Sequence, residues 1–202
     1  MGPSGVDSAG GISIVVLLGR PGAGKGTQAS LLVSRDGYKH VSTGEILRAA
    51  ISSKSPMGLE VKDIVESGKL VPDALVVGLI KDFLGGVSAG AKIVFDGFPR
   101  NVSQANVFLE MLSSGELGAP TVVEIGLGGD TAVDRIKGRS GESERADDDD
   151  TVVHARMSVY KEQTEPMIDF FREKGILKTI DGSGTVDTVY SRLSDVLRLI
   201  NH

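Results

Sequence analysis

With 202 residues, 40% of them hydrophobic, the chain is long enough for one domain with a substantial core and short for two. A net charge of −5 argues against a broad basic surface, and so against gripping nucleic acid or an anionic membrane. The absence of cysteine excludes disulfides and thiolate zinc sites and makes a cytoplasmic protein the default expectation, and a monomer is the default assembly.

In chain order, residues 1–10 are rich in Gly and Ser and read as a flexible tail, with domain 11–202 following. Pro3 and Val6 do not suit a myristoylation motif. The apolar run 12–18, broken only by Ser13, is far too short to span a bilayer and reads as a strand. Further strands are predicted at 38–41, 93–96, 122–127 and 176–180. Helices are predicted at 25–35, 43–52, 57–67, 72–85, 101–114, 130–138, 149–172 and 185–200. Apolar strands that do not alternate are strands covered on both faces. Their alternation with helices predicts an α/β fold, a five-stranded parallel sheet flanked by helices. The polar, acid-rich stretch 140–150 lies between two helices, as a mobile loop would.

Gly19-Arg20-Pro21-Gly22-Ala23-Gly24-Lys25-Gly26-Thr27 follows the first strand and opens the first helix. Glycines let the backbone approach a phosphate, amide N–H groups and the helix N-terminus form a positive concavity, and Lys25 can reach outer phosphates. This predicts a P-loop nucleoside triphosphate hydrolase-like fold, without naming an acceptor. Asp96 ends an apolar strand, where open α/β sheets bind ligands and a carboxylate can hold Mg²⁺ through water. Arg100 follows in a turn and can clamp a phosphate.

The variant loop Gly24-Lys25-Gly26-Thr27-Gln28, with glycine between the lysine and the hydroxyl, resembles that of nucleoside monophosphate kinases. His40-Val41-Ser42-Thr43-Gly44-Glu45-Ile46-Leu47-Arg48 and Gly68-Lys69-Leu70-Val71-Pro72-Asp73 resemble the segments that enter and leave their monophosphate-binding subdomain, here about 42–71. Ser42 or Thr43 also suits a plain helix N-cap. Phe95-Asp96-Gly97-Phe98-Pro99-Arg100, and Arg135, Arg139, Arg145 and Arg156 about a short interval, resemble the short-lid adenylate kinases, with the lid at about 139–149. The resemblance runs from about residue 14 to residue 200.

That resemblance implies reversible transfer of a phosphoryl group from Mg·ATP to AMP, giving two ADP. It places ATP on Gly22, Ala23, Gly24, Lys25, Gly26, Thr27, Arg135, Arg139 and Gly184. It places AMP on Thr43, Arg48, Lys69, Leu70, Val71, Gly97, Phe98, Pro99, Arg100, Gln104, Arg145 and Arg156, with Gln104 at the adenine edge. Lys25, Arg100, Arg135, Arg139, Arg145 and Arg156 would carry catalysis, and Asp96 the Mg²⁺.

Asn101 resembles the pyrimidine relatives and keeps a UMP/CMP kinase as an alternative, against Thr43 and Gln104, which favour adenine. A nucleotide-binding module without catalysis would lack the acceptor and lid arginines. Asp147 to Asp150 read equally as a solvated charge cluster suited to a helix N-terminus near Asp149 or as a functional element in which Asp147 and Asp148 pair with lid arginines. Asp181-Gly182-Ser183-Gly184 reads as a generic turn or, by resemblance, a donor-adenine loop. Arg20 departs from the resembled pattern, as does His154-Ala155, and His40, His154 and His202 are assigned no chemistry.

Overall fold

The computed structural model describes residues 12–115, 117–140 and 150–200. Five parallel strands, β1 (Ser13–Leu18), β2 (Lys39–Ser42), β3 (Lys92–Asp96), β4 (Thr121–Gly126) and β5 (Leu177–Asp181), form one sheet in the order β2-β3-β1-β4-β5. The intervals hold α1 (Lys25–Asp36), α2 (Thr43–Ser52), α3 (Pro56–Glu66), α4 (Asp73–Gly85), α5 (Val102–Ser114), α6 (Gly129–Ser140), α7 (Asp150–Val159), α8 (Glu165–Glu173) and α9 (Val186–Ile200).

Successive strand residues face opposite sides, so β1 feeds two cores. Val15 and Leu17 pack with Leu32 of α1 and Val189, Leu193 and Leu197 of α9. Ile14, Val16 and Leu18 belong to the larger core, with Phe95, Phe98, Phe108, Met167 and Phe171. The ring of Phe108 meets those of Phe95 and Phe98 edge-on at centroid distances of 5.1 and 5.4 Å. Burying each such ring is worth about 2–3 kcal/mol.

Local chemistry sets the helix ends. Gly24, at φ 92°, turns β1 into α1, and Gly37, at φ 74°, ends α1 with its N–H on the Leu32 carbonyl. Ser42 caps α2 by accepting from the Glu45 N–H, and Asn101 caps α5 by accepting from the Gln104 N–H.

The single helix expected over 149–172 is interrupted by a π-helical turn, Tyr160–Thr164. Pro166 sits at the start of α8 and has no N–H for the carbonyl of Glu162, so the ladder widens just upstream. No helix among the described residues is long and apolar enough to cross a membrane.

Candidate active site

The carboxyl ends of β1 and β3 lie side by side, with Leu17 in register with Asp96 and Asp96 with Ser42. A cleft of about 790 Å³ opens there. It is lined by Gly22, Ala23, Gly24, Lys25, Gly26 and Thr27 of the loop, by Asp96, Gly97 and Pro99 after β3, and by Arg135 and Gly184. A recess of about 60 Å³ adjoins it, lined by Thr43, Lys69, Val71 and Gln104. Leu70, Arg48, Arg100 and Arg156 line both, so three guanidinium-bearing residues stand where the two spaces meet.

The loop has the backbone its glycines suggest. Gly22 has φ 83°, and a Cβ there would come 2.3 Å from the Ala132 carbonyl oxygen, so no other residue fits. Lys25 Nζ donates to the carbonyls of Gly19 and Arg20 at 2.8 and 3.0 Å, which holds the ammonium over the cradle.

The arginines rest on glycines. A Cβ on Gly44 would lie 3.2 Å from Arg48 Nη1, one on Gly97 3.0 Å from Arg100 Nη2, and one on Gly68 3.0 Å from Arg156 Cγ. Arg100 is also held by Nε donating to the Gly97 carbonyl at 2.8 Å and by its own carbonyl accepting from Thr164 Oγ1 at 2.8 Å. Arg135 donates to the Gly182 carbonyl at 3.1 Å, tying α6 to the turn after β5. That turn has its own closure, because Asp181 accepts from both the N–H and the hydroxyl of Ser183.

Asp96 is a partly buried carboxylate among cations. Burial alone would raise its pKa, but interaction with His40 and the charges of Lys25 and Arg100 bring it below the ordinary carboxylate value. His40 Nε2 stands 3.8 Å from Asp96 Oδ2, too far for a hydrogen bond, and Nδ1 is 3.9 Å from Glu45. Asp96 is the main cause that pushes the imidazole up, against the opposing effect of burial, with Glu45 adding to the rise. His40 therefore belongs to the electrostatics of the cleft, a role its sequence neighbours do not signal.

The donor chemistry fits magnesium. Among the described residues no cluster of three or more His, Asp or Glu side chains could cage a metal. Mg²⁺ instead takes one or two protein oxygens together with phosphates and water, and Asp96 and Thr27, both lining the cleft, can supply such oxygens.

The structure bears on three sequence readings. Ser42, not Thr43, is the cap of α2, and Thr43 Oγ1 donates to the Gly97 carbonyl at 2.8 Å. Phe98 lines neither space, because its ring is fully buried against Phe95 and Phe108, and only its backbone is left to meet a ligand. Asn101 is committed to capping α5 and to Asp73 Oδ1, at 3.0 Å, so its presence has a structural cause. Arg139 lies on α6 with its side chain outside the described residues, and Arg145, Asp147 and Asp148 lie outside them altogether. Tyr160, Thr164 and Thr185 also line the cleft, and no motif announced them.

Comparison with known proteins agrees in extent. The adenylate kinase family model matches residues 17–176. A protein named adenylate kinase from Xanthomonas euvesicatoria pv. vesicatoria is 40% identical over 185 residues, covering 91% of this chain and 98% of its own. Its namesake from Thermus thermophilus is 41% identical, covering 91% and 96%, and that from Nitrobacter winogradskyi is 42% identical, covering 91% and 92%. With the phosphate loop, the strand-end carboxylate and the arginines already placed around one cleft, the match over most of the chain shows that it belongs to the adenylate kinase family.

Proposed function

We propose that this chain transfers the terminal phosphoryl group of ATP to AMP, giving two ADP, and does so reversibly. The observation that carries the reading is the meeting of Arg48, Arg100 and Arg156 between the phosphate-loop cleft and the recess beside Gln104. Two phosphate-bearing substrates approaching from the two spaces would bring their phosphates together there.

An AMP phosphate oxygen attacks the γ-phosphorus, and the bond from that phosphorus to the β,γ-bridging oxygen breaks, so ADP leaves and a second ADP forms. No general base is needed, since the attacking oxygen is already anionic. The protein's task is alignment and neutralisation of charge. Lys25 and the loop amides hold the donor phosphates, Arg48 and Arg100 the acceptor phosphate, and Arg135, Arg139, Arg145 and Arg156 the moving group. Gly184 faces the donor base, while Thr43, Gln104 and the backbone of Lys69, Leu70 and Val71 surround the acceptor base. Asp96 and Thr27 would hold Mg²⁺, which when bound neutralises the donor's phosphate oxygens.

Water is a competing acceptor, so the arginine cage should be complete only after both nucleotides bind. Residues 42–71 are the element we propose to move, and most of the lid expected at 139–149 lies outside the described residues. A cytoplasmic monomer that binds neither nucleic acid nor membrane is the working assembly. The acidic balance supports the absence of nucleic-acid and anionic-membrane partners.

The test is to mix the protein with Mg·ATP and, separately, AMP, CMP, UMP or GMP, and follow the diphosphates formed. AMP should be strongly preferred. CMP or UMP preferred would overturn the acceptor assignment, and no transfer to any acceptor would overturn the catalytic one.

A further inference from the structure

Gln104 is buried, yet its side-chain amide is oriented by neighbours on both sides. Nε2 donates to Asp73 Oδ1 at 2.7 Å, and Oε1 accepts from the Arg100 backbone N–H at 2.9 Å. Asn101 closes the group. Its Nδ2 donates to the same Asp73 oxygen at 3.0 Å, and its Oδ1 accepts from the Gln104 backbone N–H at 2.8 Å.

Turning the Gln104 amide over would set its carbonyl against the Asp73 carboxylate and its NH₂ against the Arg100 N–H. Two bonds would become two repulsions. The amide is therefore held one way round. Its own chemistry offers two N–H groups and two lone pairs, and Asp73 and Arg100 use one of each. One N–H and one lone pair are left on a residue that lines the recess.

Resting on the reading of that recess as the acceptor-base site, the geometry points to Asp73 as a specificity-determining positioning residue that selects amino bases over oxo bases. A fixed N–H beside a fixed lone pair matches a ring-nitrogen acceptor next to an exocyclic amino donor, as adenine presents. Hypoxanthine presents a ring N–H next to a carbonyl, so both contacts become repulsive. A freely turning glutamine would accept either edge. Asp73, at the first turn of α4 and 31 residues away, removes that freedom together with the Arg100 N–H.

The experiment compares kcat/KM for AMP and IMP, which share ribose and phosphate and differ in that edge alone. The wild-type protein should prefer AMP by about a hundredfold or more, because an oriented polar site leaves a mismatched edge unpaired. Asp73→Ala should cut that preference about tenfold through the monophosphate KM, with the KM for ATP unmoved. Asp73→Asn, which keeps an oxygen acceptor in place, should retain most of it.

Wild-type use of IMP within tenfold of AMP would overturn the proposal without any variant. So would a folded Asp73→Ala protein that keeps the full preference. Gln104→Ala separates the two layers of inference. If it leaves both the AMP KM and the AMP-to-IMP ratio unchanged, the recess is not the base site. If it changes the ratio while Asp73→Ala does not, the recess stands and the assignment of Asp73 falls.

Discussion

Arg20 Nη2, in the phosphate loop, donates to Glu165 Oε1, in the first turn of α8, at 3.0 Å. The guanidinium lies 5.9 Å from the centroid of the Tyr160 ring, and a Cβ on Gly129 would come 3.0 Å from Nη1. One side chain thus touches the start of α6, the π turn and the start of α8. The first of these, α6, carries Arg135, and the π turn follows directly on α7, which carries Arg156.

Both members of the pair are 38% exposed at the side chain, so solvent screens them and the pair is worth about 0–1 kcal/mol. Arg20→Ala should lower stability in urea by no more than about 1 kcal/mol. Its larger effect should be a several-fold rise in the KM for ATP, as the loop loses its brace. An unchanged KM with a large stability loss would make the pair purely structural.

Burial raises the Tyr160 phenol to about 12, helped by the carboxylates of Glu124 and Glu165 and opposed by Arg20. An unfolded tyrosine titrates near 10, so the folded value is the raised one. The neutral phenol's contribution is fully present below about pH 10 and is lost as pH rises towards about 12, some 2–3 kcal/mol in all. Denaturant midpoints measured across that window should fall steeply for the wild-type protein and less steeply for Tyr160→Phe. Equal slopes would rule out Tyr160 as the source.

Lys25 Nζ bonds to carbonyls of its own loop, five and six residues away. Lys25→Met should therefore cost about 1 kcal/mol of stability while transfer falls by several orders of magnitude. Circular dichroism beside the coupled assay distinguishes the two effects. Near wild-type turnover would refute the role given to this lysine.

Gly97 combines φ 76° with a hypothetical Cβ 3.0 Å from Arg100 Nη2. Gly97→Ala should cost about 1–2 kcal/mol in backbone strain and displace the guanidinium. The KM for AMP should rise well above any change for ATP. Gly78→Ala is the control, since a Cβ there meets nothing within 4 Å in α4, and it should stabilise by about 0.5–1 kcal/mol.

Much of the fold was legible because the signals for it are local. Hydrophobic period and caps placed α2 at residues 43–52, where Thr43–Ser52 is found, and put β1 against the glycine loop that becomes the cradle. The motif order that leads to the family is likewise a property of short segments. Proline chemistry at Pro166 is local too, but the π turn depends on how the widened helix seats Tyr160 and Thr164 against the cleft, which no periodicity reports.

What the tertiary structure alone decided is which polar groups meet. Sequence reading took Asn101 as a hint of a pyrimidine acceptor, and the fold spends it on Asp73, 28 residues away. Arg20 looked like a departure from pattern until α8 brought Glu165 to it from 145 residues on. His40 had no visible partner until β2 paired with β3 and set it beside Asp96. Segment identity follows from nearest-neighbour periodicity and turn chemistry, whereas side-chain partnership follows from sheet order and helix packing, and those bring distant residues within a few ångströms.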